Sequence, residues 1–118
     1  MARNRKILVV EDNADQLHSL MILLRLMGHE VDFATTGQSA IERARRLRPD
    51  VVLLDIGLPG MDGFEVARQL HAEHGRGLRI IAVTAYGTER DRRESREAGC
   101  ELHLVKPADP RFIESLLG

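Results

Sequence analysis

Short apolar runs alternate with longer amphipathic stretches five times along this chain. The runs cover residues 7–10, 31–34, 51–54, 80–83 and 102–105. The first, third and fourth are continuous and rich in β-branched residues, as expected of strands covered on both faces of a parallel sheet. In the other two, Val31 and Phe33, and Leu102 and Leu104, alternate with polar residues. That pattern suits strands at the two edges.

Between the runs lie helical periodicities. Leu17, Leu20, Met21, Leu24 and Met27 recur at three- and four-residue spacing, with Gly28 set to end the helix. A second helix is predicted over about 39–46, burying Ala40, Ile41, Ala44 and Leu47 and closing before Pro49. A third follows Asp62-Gly63 and buries Val66, Ala67 and Leu70. The fourth, over 88–98, has almost no apolar face, so packing holds it weakly and it is expected to be mobile. Pro110 opens a last short helix carrying Phe112, Ile113, Leu116 and Leu117. Five βα units imply a doubly wound α/β sandwich with right-handed crossovers. Strand order 2-1-3-4-5, the flavodoxin-like arrangement, makes the two alternating strands the edges.

Composition narrows the function classes. The 118 residues are expected to form a single domain, without a separate output domain, and can bury roughly two-thirds of the unfolded surface. Seventeen Lys and Arg against 18 Asp and Glu leave a formal charge of −1, so no global basic field points to nucleic acid. No apolar run approaches the ~20 residues that span a bilayer, and residues 1–6 lead into no signal-peptide core. A cytoplasmic location follows, or tethering to a membrane-bound protein if the domain belongs to a longer chain. The lone Cys100 excludes a disulfide framework and is expected to pack as a small apolar residue.

The chemistry sits directly after the strands. The first run ends in Glu11-Asp12, the third in Asp55, the fourth in Thr84 and the fifth in Lys106-Pro107. Ligands of open α/β sheets bind beyond the carboxyl ends of the strands, so these side chains converge on one crevice. Glu11, Asp12 and Asp55 against Lys106 leave a local charge of −2. Carboxylates crowded this way take up a proton unless a cation compensates. Oxygen ligands with room for water suit Mg²⁺, or Mn²⁺, rather than zinc. An aspartate beside such an ion can act as a nucleophile toward phosphorus, with Thr84 and Lys106 contacting the phosphoryl oxygens.

The segments Val9-Val10-Glu11-Asp12-Asn13, Leu54-Asp55-Ile56-Gly57-Leu58-Pro59-Gly60-Met61-Asp62-Gly63, Val83-Thr84-Ala85 and Val105-Lys106-Pro107 together resemble the receiver domains of two-component response regulators. The resemblance spans essentially the whole chain. The wording around Asp55 and Lys106 is most similar to receivers of hybrid sensor histidine kinases. The resemblance implies a phosphoacceptor signalling switch rather than an enzyme with a separate substrate. Asp55 would accept a phosphoryl group from a phosphohistidine on a sensor histidine kinase or histidine phosphotransfer protein. Asp12 and Asp55 would ligate Mg²⁺ directly, Glu11 mainly through water, and Gly57 through its carbonyl. Lys106 would pair with the phosphoryl group and Thr84 would hydrogen-bond it. A cis Lys106-Pro107 bond is expected to direct the lysine. Phosphorylation would move Thr84 inward and rearrange the face built from the fourth helix, fifth strand and fifth helix, where a downstream protein would dock. No membrane insertion is implied.

Three positions depart from the familiar pattern. His103 stands where many receivers have Tyr or Phe; it is either a half-exposed edge-strand histidine or a polar switch. The resemblance implies that the positions held by Gly57 and Tyr86 modulate access of the attacking water, with Ala85 and Pro107 beside them. Tyr86 either shields an acyl phosphate or only packs over its loop. Because that family receives its phosphodonor on the start of the first helix and the loop after the fifth strand, the resemblance makes Asn13, Ala14, His18 and Ile22, with Ala108, Asp109 and Pro110, the candidates for partner choice. The arginines of the fourth helix read first as a solvated face. His71 and His74 lack a third ligand and read as a solvated helix end. A haloacid-dehalogenase-type phosphatase or a toprim-like nuclease would need an Asp where Gly57 stands. Glycines after the first strand and a Gly-x-x-x-x-Gly-Lys loop are both absent, which excludes dinucleotide and nucleotide-hydrolysing folds.

Overall fold

The computed structural model describes residues 4–85 and 87–117. Tyr86 therefore lies outside the described residues. Five strands, β1 (Lys6–Val10), β2 (Glu30–Ala34), β3 (Val51–Asp55), β4 (Arg79–Thr84) and β5 (Leu102–Val105), form one parallel sheet in the order β2-β1-β3-β4-β5. The helices between and after them are α1 (Ala14–Leu26), α2 (Gly37–Leu47), α3 (Gly63–His74), α4 (Glu89–Glu97) and α5 (Pro110–Leu117). The two alternating strands are indeed the edges. No described helix is long and apolar enough to cross a membrane.

Strand alternation sends the apolar runs into two layers. Leu8, Val10, Val52, Leu54, Ile80 and Ala82 face Ile41, Ala44, Val66, Ala67 and Leu70 of α2 and α3. Ile7, Val9, Val51, Leu53 and Ile81 face Leu17, Met21 and Leu24 of α1 and Ile113 and Leu117 of α5. Every residue of β3 is buried, as its unbroken apolar pattern requires.

Helix boundaries follow local chemistry. The α1 helix starts at Asn13, whose side chain accepts the Gln16 amide hydrogen, and its reversal is made by Gly28 at φ 96°. The α2 helix begins two residues earlier than the periodicity predicts. Thr36 and Ser39 form a capping box there, and Gly37 fits beneath the Val66 and Met61 side chains. At its other end Arg48 takes the left-handed conformation, φ 52°. Within α4 only Ser95 is buried, with Ala98 at its C-terminal cap, so the expected lack of an apolar face holds. Cys100 is buried, which pushes its thiol pKa up to about 12.

Candidate functional site

Parallel register brings the strand ends level. Val10 lies beside Leu54, Asp55 beside Val83, and Thr84 beside Val105. The next residues of β1 and β5 extend the ladder: the Glu11 amide donates to the Ala34 carbonyl at 3.0 Å and the Lys106 amide to the Thr84 carbonyl at 2.7 Å. Backbone pairing thus fixes where Glu11, Asp55, Thr84 and Lys106 emerge. The β3–α3 loop is pressed against the sheet through Gly63, where a Cβ would sit 2.6 Å from the Ile56 backbone.

Lys106 is the centre of the arrangement. Its Nζ donates to Glu11 Oε1 at 2.9 Å, Asp55 Oδ2 at 2.9 Å and Gln16 Oε1 at 3.1 Å. The other oxygen of Asp55 accepts the Gly57 amide hydrogen at 2.9 Å. The other oxygen of Glu11, Oε2, is buried without a hydrogen-bond partner. Asp12 is exposed at the rim, Thr84 is buried, and Ala85 and Pro107 are exposed. The Lys106–Pro107 bond is cis, as the resemblance implies.

The electrostatics agree with the charge count. Burial and the neighbouring Asp55 carboxyl raise the Glu11 pKa to about 7, against the opposing pull of Lys106. Burial works against the Asp55 carboxylate, yet the neighbouring Glu11 carboxyl, the Lys106 ammonium and the Gly57 amide hold its pKa below the ordinary value. Lys106 loses solvation too, but its two carboxylate partners raise its pKa. At neutral pH the metal-free pair Glu11 and Asp55 therefore retains a proton for part of the time.

The donor set fits a divalent cation. Ligand oxygens of Glu11, Asp12 and Asp55 lie within 4.8 Å of one another, the one such cluster among the described residues. Hard oxygen donors and an orphaned buried oxygen are what a small divalent ion and its waters satisfy. His71 and His74 join no such cluster: His71 packs against Gly99.

Beside the carboxylates a groove of about 460 Å³ runs between α1 and the β5–α5 loop, lined by Leu20, Leu23, Pro107, Ala108 and Pro110. Of the candidates for partner choice, Ala108 and Pro110 line it and are half-buried, while Asn13, Ala14, His18 and Asp109 are exposed and Ile22 is 43% exposed. His103 turns to α4, its Nδ1 lying 2.6 Å from the Ser95 hydroxyl. The sequence reading missed two contacts, Ser95 with His103 and Gln16 with Lys106. A Gln one turn into the helix after the acidic pair was the available signal for the second.

Comparison with known proteins bears on the same residues. A model of the response regulator receiver domain matches residues 7–117. The polar-differentiation response regulator DivK of Brucella anthropi is 36% identical over 114 residues, spanning 95% of this chain and 93% of its own length. A CheY-like receiver from Methanospirillum hungatei JF-1 superposes with a TM-score of 0.90 at 29% identity, over 97% of this chain and 90% of that one. The BeF3-activated N-terminal receiver domain of Klebsiella pneumoniae RstA gives 0.87 at 29% identity, over 95% and 94%. The chain therefore belongs to the response regulator receiver domain family of two-component signalling.

Proposed function

We propose that this receiver works through phosphorylation of Asp55. The observation that carries the reading is the Lys106 ammonium bridging Glu11 and Asp55 while a buried Glu11 oxygen has no partner. Asp12 and Asp55, the Gly57 carbonyl, and Glu11 through water would hold Mg²⁺, with Mn²⁺ as an alternative. When bound, that ion supplies charge compensation and a Lewis-acidic contact for the phosphoryl oxygens. An Asp55 oxygen attacks the phosphorus of a phosphohistidine. The P–O bond forms as the P–N bond breaks, and its electron pair leaves on the imidazole nitrogen, which takes a proton. Lys106 pairs with a phosphoryl oxygen and the Thr84 hydroxyl donates to another, where charge accumulates during transfer.

The donor is a sensor histidine kinase or histidine phosphotransfer protein, received on Asn13, Ala14, His18, Ile22 and the Ala108–Asp109–Pro110 loop. Hydrolysis of the acyl phosphate resets the switch, and Gly57, Ala85, Tyr86 and Pro107 govern the access of water. Thr84 and His103 transmit the state to the α4-β5-α5 face, where a downstream protein binds. The activity is self-catalysed phosphorylation and dephosphorylation in the cytoplasm, within one receiver unit.

Incubation with acetyl phosphate and Mg²⁺, followed by intact mass measurement, tests this. One acid-stable, hydroxylamine-sensitive phosphoryl group is expected, absent from Asp55→Asn. No uptake under conditions where Mg²⁺ binds would identify a docking module that works without phosphorylation.

A further inference from the structure

We propose that Gln16 is a positioning residue for phosphoryl transfer, acting through Lys106; this rests on the reading of Asp55 given above. Gln16 stands at the third position of α1, after the Asn13 cap. A Gln there commonly reaches back to the cap's own amide hydrogen to complete a capping box. In α2 the corresponding residue, Ser39, does so. The Gln16 carbonyl oxygen instead accepts from Lys106 Nζ at 3.1 Å. Helical side chains lean toward the N-terminus of their helix, which directs Gln16 over the carboxyl ends of the strands.

An ammonium group has three donors and no acceptor. Here Glu11, Asp55 and Gln16 provide one acceptor each. Because Lys106 can only donate, the Gln16 amide must turn its oxygen inward and its NH₂ group to the mouth of the site. Of the three partners, Gln16 alone is neutral and belongs to no candidate metal ligand set. When Asp55 takes a phosphoryl group and Glu11 turns to a cation, Gln16 is the partner that neither event removes. It keeps one donor of a flexible side chain tethered over the pocket while the other two are re-aimed.

Two variants separate positioning from fold maintenance. Gln16→Met keeps length and helix propensity but removes the acceptor, whereas Gln16→Glu keeps an acceptor. Gln16→Met is expected to lower the rate of phosphoryl uptake from acetyl phosphate by roughly 3- to 10-fold, the effect of one exposed charge-assisted hydrogen bond. Its thermal midpoint should match the parent's. In nitrogen-15 spectra of the lysine ammonium groups, hydrogen exchange at Lys106 should be faster in Gln16→Met than in the parent and Gln16→Glu. A Gln16→Met protein with the parent's uptake rate, or with the parent's Lys106 exchange rate, would overturn the proposal. A parent that takes up no phosphoryl group would overturn the reading of Asp55, and this one with it.

Discussion

The two ends of the sheet treat charge differently. At the amino end, the polar groups that hold α5 are matched. Arg5 donates to the Leu117 carbonyl at 3.1 and 2.9 Å, and Arg79 reaches the Leu116 carbonyl at 2.8 Å while pairing with Glu101. These arginines cap the last carbonyls of a helix, where the backbone dipole favours cations. His29 is buried between the Arg5 amide, which donates to Nδ1, and Glu114, 2.6 Å from Nε2. An accepting Nδ1 fixes the ring proton on Nε2. At the carboxyl end, three carboxylates cluster, two of them share a single lysine, and one buried oxygen has no partner. The contacts around α5 are arranged for stability. The carboxylate site withholds it in favour of chemistry.

The largest expected effect comes from undoing the matched end. His29→Leu should cost about 2 kcal/mol in urea unfolding, because it strands the Arg5 amide and the Glu114 carboxylate. Its phosphoryl uptake should equal the parent's; slower uptake would show that the two ends are not independent. Next comes pH. Glu11 has its pKa raised to about 7 from an ordinary 4.5, so its contribution to the metal-free protein is full below about 4.5 and lost as pH rises through about 7. Unfolding midpoints measured across that window should fall, and Mg²⁺ should flatten the decline. A smaller change of opposite sign should follow Glu11→Gln. By removing the carboxylate whose charge the fold disfavours, it should stabilise the metal-free protein at pH 7.5 by about 1 kcal/mol. A destabilised Glu11→Gln would sink the view that this end is under strain. Smallest is Arg48→Gly, away from both ends. Relieving a left-handed non-glycine residue should gain less than about 1 kcal/mol, read as a slightly raised thermal midpoint.

Much of this was legible in the residue order. Strand period and burial on both faces are local signals, so β1, β3 and β4 declared themselves, and the alternation of Val31 with Phe33 marked an edge. Glu11, Asp12, Asp55, Thr84 and Lys106 were legible because each follows a strand, and parallel strands end together. Contacts that depend on where a side chain leans after packing were not. Gln16 and Lys106 are 90 residues apart, and His29 and Glu114 are 85 apart. No periodicity links such pairs. The two-residue error at the start of α2 has a nearer cause: Gly37 reads as a breaker until the space under Met61 and Val66 is known.

The sparse anchoring of α4 bears on inheritance as well as on motion. Its single buried residue is Ser95, and Ser95 and Arg92 reach His103 of β5. Substitutions at its other positions spare the sheet, the carboxylates and the lysine. A lineage can therefore rewrite what this receiver says to its listeners while leaving untouched how it hears.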